Sequence, residues 1–229
     1  MSYTGTLKRI RKHKTNYRKR SAILMSRRPF IITKISGQNI LSQALKPTLN
    51  GDVVIASAHS RELIKHGWKG SMNSMPACYL TGLLLGKKFI EKGATNALLY
   101  TGNHPFTTRV AACLKGIVDS GVNVPVSIES LPGEDRVKGE HIAEYANLLK
   151  DNQERYNSRF SALIKNGLSP EDYPGHFEDI RMRISGKPDR ENKRLNGGSN
   201  QVNKLRKEEF RNAAMTESKP SSKGGSNQE

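Results

Sequence analysis

The chain has 229 residues, 38 of them Lys or Arg against 21 Asp or Glu, so it carries a formal net charge of +17 at pH 7. No apolar run is long enough for a membrane-spanning helix, and two cysteines are too few for a disulfide scaffold. The excess charge is segregated: ten Lys/Arg and no carboxylate fall in residues 1–28, ten against six in 186–229, and eighteen against fifteen between them.

The first block reads LKRIRKHKTNYRKR over residues 7–20 and closes with Arg27 and Arg28. Charge of one sign at this density is incompatible with a folded core, because its self-repulsion needs neutralising from outside the chain. A polyphosphate does this most simply. Tyr17 adds a ring able to stack on an unpaired base while the arm's backbone follows a phosphate path. The alternatives are a solvated basic tail and a mitochondrial presequence, and dense lysine with little serine or leucine argues against the presequence.

Residues 29–35 (PFIITKI), 39–45 (NILSQAL) and 53–58 (VVIASA) are short and β-branched. Ser36-Gly37 and the turn chemistry of residues 47–52 separate them, so three consecutive antiparallel strands are expected. Residues 59–75 mix charge with Gly67, Trp68 and Gly70 and show no clean period. They read as a long ordered loop with one helical turn, a length that in compact domains tends to carry function. Residues 76–92 (PACYLTGLLLGKKFIEK) form the clearest helix, opened by a proline and stopped by Gly93. Cys78, Gly82 and Gly86 recur every four residues, which makes one helix face small and suited to lie close against a sheet. On that reading Cys78 is a packing residue rather than a nucleophile.

Residues 97–101 (ALLYT) are expected to be a buried strand, and 108–120 a helix with Val110, Ala111, Leu114, Ile117 and Val118 on one face and Gly121 as its stop. The resulting β-β-β-α-β-α order implies an α/β fold with a mixed sheet, the last strand joined by a right-handed crossover. Beyond Pro132 the pattern is helical: 140–150 (EHIAEYANLLK), a weaker segment over 156–164, and a helix starting at Ser169-Pro170-Glu171 and running toward 179–184. From 186 onward apolar residues thin out, so disorder is expected unless a partner orders the tail, with 204–211 (KLRKEEFR) able to form a short basic helix on binding. The chain thus divides into a basic arm (1–28), an α/β domain (29–132), a helical extension (133–185) and a basic tail (186–229).

The sequence supports none of three enzyme readings. A nuclease of the ribonuclease H type shares this element order but needs carboxylates around two metal ions, one on the first strand, and residues 29–35 contain none. The turn 101–108 (TGNHPFTT) matches neither phosphate-binding glycine pattern, leaving only the anion affinity of a helix start. His104 and Arg109 there fit phosphate contact and loop packing equally well. The six histidines and the two cysteines, which read as reduced thiols of a cytosolic protein, form no zinc spacing, and Ser60 near His59 makes no triad. No catalytic residue, metal or cofactor is expected.

Residues 56–88 (ASAHSRELIKHGWKGSMNSMPACYLTGLLLGKK) and 133–145 (GEDRVKGEHIAEY) together resemble the archaeal and eukaryotic branch of the universal large-subunit ribosomal protein eighteen family. The resemblance extends from about residue 17 to 184, and the residues after it match nothing in that family. It implies a ribonuclease H-like fold of the translational machinery type without catalytic carboxylates, which agrees with the empty first strand. It further implies a structural protein of the cytoplasmic large ribosomal subunit that binds 5S rRNA through the arm and one face of the domain. Such a protein helps attach 5S to 23S rRNA in the central protuberance, beside universal large-subunit protein five and other central-protuberance proteins. Carried onto this chain, the arm supplies Arg9, Arg11, Lys12, Lys14, Asn16, Tyr17, Arg18, Lys19, Arg20, Arg27 and Arg28, and the loop supplies His59, Ser60, Arg61, Lys65, Trp68, Lys69 and Asn73. Trp68 has two readings, a core side chain or a base-stacking ring. Arg61 can instead pair with Glu62, and Arg136, Lys138 and His141 read better as the start of a helix than as RNA contacts. The runner-up function is a nuclease or RNA-processing enzyme on the same fold.

Overall fold

A computed structural model describes residues 7–48 and 50–186; residues 187–229, with the expected tail and basic helix over 204–211, lie outside the described residues. The arm is helical, with α1 at Lys8–Arg11 and α2 at Tyr17–Ser26, elements not read from the sequence. Asn16 caps α2 by accepting from the Lys19 N–H at 3.1 Å, and Arg27 ends it in the left-handed region at φ 53°. Neither helix buries a residue. That is why no apolar stripe announced them: α2 rests on helix-favouring Arg, Lys, Ala, Leu and Met and on its cap.

The expected meander is present. Strands β1 (Phe30–Ile35), β2 (Ile40–Thr48) and β3 (Gly51–His59) pair antiparallel in sequence, and β4 (Leu98–Leu99) adds to β1 in parallel, giving the order β3-β2-β1-β4. The expected buried strand at 97–101 is therefore two residues long and only half-buried. It sits outside β1, where Leu98 N–H donates to the Pro29 carbonyl and Tyr100 N–H to that of Ile31, each at 2.9 Å. On its far side the Ala97 N–H donates to the Asn123 carbonyl at 3.1 Å and the Asn123 N–H to that of Thr95 at 2.8 Å, a parallel pairing flanked by buried Val122 and Val124 and not read from the sequence.

Alternation along the strands sends Ile31, Thr33, Ile40, Ser42, Ala44, Ala56 and Ala58 to one face, where all are buried. Helix α3 (Met75–Glu91), capped by Ser74 with Pro76 in its first turn, lies against this face of small residues. Its own glycines do something else. Gly82 and Gly86 face α4 (Thr108–Asp119), not the sheet: a Cβ on Gly82 would stand 2.0 Å from the Cys113 carbonyl oxygen, and one on Gly116 of α4 would stand 2.1 Å from that of Tyr79. The two helices meet backbone to backbone because glycines strip the crossing from both sides. Cys78 and Cys113 are fully buried, and burial pushes both thiols well above their ordinary range, away from the nucleophilic thiolate.

The extension forms α5 (Glu134–Lys138), α6 (Glu140–Leu148), α7 (Gln153–Lys165) and α8 (Tyr173–Ser185). Helix α8 starts later than Ser169-Pro170-Glu171 suggests: Ser169 instead bonds the Glu171 carboxylate, and Pro174 takes the first turn that Pro170 was expected to hold. Tyr173, Phe177, Ile180 and Ile184 share one face of α8 and join the cluster formed by the sheet and α3.

Candidate nucleic-acid interface

The sheet face opposite α3 carries half-exposed Ile32, Leu41 and Gln43 and exposed Lys34. Helix α2 comes against it through Arg20, whose guanidinium lies 5.3 Å above the buried Phe30 ring and pairs with Asp52 at the β2–β3 hairpin. The result is a groove of about 750 Å³. Arg9, His13, Lys14, Tyr17 and Arg20 line it from the arm, Ile32 and Lys34 from β1, Asp52 from the hairpin, and Tyr100 to His104 from the turn after β4. The Asn103 amide donates to the His13 carbonyl at 2.6 Å, and the Lys19 ammonium reaches that of Gly102 at 3.5 Å, so the turn and the arm define the walls together.

Four permanent cations line this groove against one carboxylate, with the rings of Tyr17 and Tyr100 among them. Tyr100 is held edge-on to Phe30 at 5.7 Å between centroids. Cations spaced along an open channel with aromatic faces suit a phosphodiester chain with accessible bases better than a small enclosed ligand. Sequence pattern alone does not single out Lys34, Tyr100 or Asn103, and it reads His104 two ways. Lys34 carried a signal, being the lone charge in an apolar strand; Tyr100 and Asn103 carried none, because their role depends on the arm folding back over them.

The remaining arm residues Arg11, Lys12, Arg18, Lys19, Arg27 and Arg28 are exposed, and Asn16 serves as the cap. The loop set does not line the groove. Its residues 60–66 form a seven-residue 3-10 helix rather than a single turn, closed by Gly67 at φ 92°. His59 caps it, accepting from Arg61 N–H at 3.1 Å while donating its own N–H to Glu62 at 3.0 Å; Glu62 in turn pairs with Lys88 rather than with Arg61.

Two members of the loop set are corrected outright. Ser60 is fully buried and its hydroxyl accepts from Ile40 N–H at 3.1 Å, tying the loop to β2. Trp68 is 3% exposed, edge-on to Tyr173 and stacked on His176, with its N–H donated to the Ser71 carbonyl, so neither ring face is open to a base. Asn73 bridges the Gly37 carbonyl and Arg109, each at 2.9 Å. Arg61, Lys65 and Lys69 are exposed, Lys69 with its ammonium on the Gly167 carbonyl at 3.2 Å. In α5, Arg136 is exposed and Lys138 pairs with Glu178 at 3.7 Å.

His176 ties α8 to this loop, its Nε2 accepting from Lys69 N–H at 3.1 Å. Burial, followed by the charge of Lys69, holds its pKa below the ordinary value of 6.5. The folded state therefore binds fewer protons than the unfolded state. The stability so gained is present above about pH 6.5 and is lost as pH falls through that value toward the depressed one. Thermal melts between pH 7 and 5 should show a shallower loss in His176→Gln than in the natural chain; parallel curves would remove His176 from the acid response.

Residues 2–107 match the family model described as ribosomal large subunit proteins 60S L5 and 50S L18. The chain is 45% identical over 185 residues to the large ribosomal subunit protein uL18 of Thermofilum pendens, covering 80% of this chain and 94% of that one. To the protein of the same name from Aeropyrum pernix it is 46% identical over 186 residues, covering 80% and 87%.

Proposed function

The chain belongs to this family of large-subunit ribosomal proteins, and from that premise we propose that it binds 5S rRNA through the arm groove and helps attach that RNA to 23S rRNA in the central protuberance. Its role is structural, in the large subunit of the cytoplasmic ribosome, where it neutralises and orders rRNA. Universal large-subunit protein five and other central-protuberance proteins are its proposed neighbours there.

The observation that carries this reading is the groove: arm cations, Lys34 and two tyrosines converge on one channel, and its single carboxylate is already neutralised by Arg20. Such a surface holds phosphates and stacks bases. The exposed cations Arg61, Lys65 and Lys69 supply a second, separate contact with rRNA in this proposal.

Binding of the full chain to 5S rRNA across a salt series tests it. Lys34→Ala should lower the log-log salt slope by about 0.7 to 0.9, the value of one phosphate contact. Tyr17→Ala should weaken binding by roughly 1–3 kcal/mol with little change in slope, since it removes a stacking face and no charge. If both variants bind as the natural chain does, the groove is not the RNA site.

A further inference from the structure

We infer that Asp52 is a positioning and selectivity residue of the groove: it holds α2 in place and withholds Arg20 from RNA that does not fit. The inference rests on the groove being the RNA site. It starts from a difficulty in the arm itself. Helix α2 has ten residues, none of them buried, and a helix this short is marginal on its own. Arg18, Lys19 and Arg20 also crowd its N-terminal end, where the helix dipole disfavours positive charge, and no acid lies in the first turn to offset them. The helix therefore depends on contacts with the body.

Its polar contacts with the body among the described residues are few. Lys19 reaches a carbonyl at 3.5 Å, Asn103 holds the backbone before the helix, and Arg20 both covers the Phe30 ring and pairs with Asp52. Of these, the Arg20–Asp52 contact joins full charges of opposite sign. Their side chains are only 20% and 23% exposed, so solvent and salt screen them less than a surface pair. Of the two non-glycine residues at positive φ among those described, His13 follows the end of α1 and Arg27 ends α2.

Asp52 is also the one Asp or Glu among the groove-lining residues, an unfavourable choice for a surface that binds polyanions unless it serves selection. A flexible polyanion gains from Arg20 only by displacing a carboxylate that is already in place. An RNA shaped to the groove uses Arg9, Lys14 and Lys34 and leaves the pair intact. Asp52 thus lowers the yield of indiscriminate binding and keeps the arm ordered for the fitting partner.

The test compares 5S rRNA with poly(U) of similar length on the full chain, using Asp52→Asn, Arg20→Ala, the double variant and Lys34→Ala, each checked for folding by circular dichroism. Asp52→Asn should strengthen poly(U) binding and steepen its salt slope by about 0.7, one freed cation, without strengthening 5S binding. The ratio of the two dissociation constants should fall about fivefold or more by this freed contact. Arg20→Ala should speed amide exchange over 17–26 as Asp52→Asn does, but without the gain for poly(U), and the double variant should exchange no faster than either single one. A selectivity ratio unchanged in Asp52→Asn overturns the inference. If instead Lys34→Ala leaves both RNAs bound as before, the groove itself is wrongly assigned, and that failure is separate from the failure of Asp52.

Discussion

Replacing Gly82 with leucine is expected to destabilise the body of the protein strongly, although leucine is the better helix former. Propensity alone favours the substitution by roughly 0.8–1 kcal/mol. Packing opposes it by more. The first added carbon would stand 2.0 Å from the Cys113 carbonyl oxygen and 2.8 Å from its carbon, and these are backbone atoms of a helix that have no rotamer to escape into. The helices must separate, and Tyr79 and Leu83, whose backbone lies against Gly116 of α4, lose that seat.

Ordinary overpacking costs about 1–3 kcal/mol, and a clash between two backbones belongs at or beyond the upper end of that range. Gly82→Ala adds only the offending carbon and should already cost about 3 kcal/mol. Gly175 provides the control: it lies within α8, has nothing within 4 Å of its Cβ position and no positive φ, so Gly175→Ala should stabilise by roughly the propensity difference. Chemical or thermal melts decide the matter. A Gly82→Ala protein that melts at or above the natural chain would mean that α3 and α4 do not touch there.

Trp68→Ala should cost about 3–5 kcal/mol of folding stability, as truncation of a fully packed aromatic does, while the protein that remains folded binds RNA with unchanged affinity and salt slope. The ring fills the space under the 59–75 loop: it meets Tyr173 at 5.6 Å and His176 at 5.2 Å, and a Cβ on Gly70 would already stand 2.6 Å from it. Removing it leaves a cavity between the loop and α8 rather than stripping a base of its platform. Urea melts followed by RNA titration under conditions where the variant is folded separate the two roles. A stable Trp68→Ala protein that loses about 1–3 kcal/mol of RNA affinity would restore the ring to the binding surface.

Much of this architecture was readable along the chain because it depends on local periodicity. Residues 30–59 alternate with turn residues at the right places, and the three strands follow. The apolar spacing and the stops at Gly93 and Gly121 likewise defined α3 and α4. Charge segregation was equally plain: ten cations without one acid in 28 residues favour a polyanionic partner whatever their conformation.

The site was less legible. Charge says that Arg9, Lys14 and Arg20 need a partner, not that Lys34 and Tyr100 stand opposite them. The helical form of the arm was hidden too, since a helix that buries nothing has no apolar stripe to detect.

What the sequence determined by itself, then, was the class of fold, the order of the elements in the α/β body and an excess of positive charge concentrated in the arm, all properties of neighbouring residues or of summed charge. The tertiary structure alone decided that the small face of α3 meets a helix, because four-residue spacing specifies a close approach without specifying what approaches. It decided that Trp68 lies inside, because a ring in a glycine-bearing loop becomes core only when α8, more than a hundred residues later, lays Tyr173 and His176 over it. It also decided that Asp52, unremarked in a hairpin turn, meets Arg20 in the arm. Contacts between distant segments follow from how whole faces pack, and no local pattern encodes them.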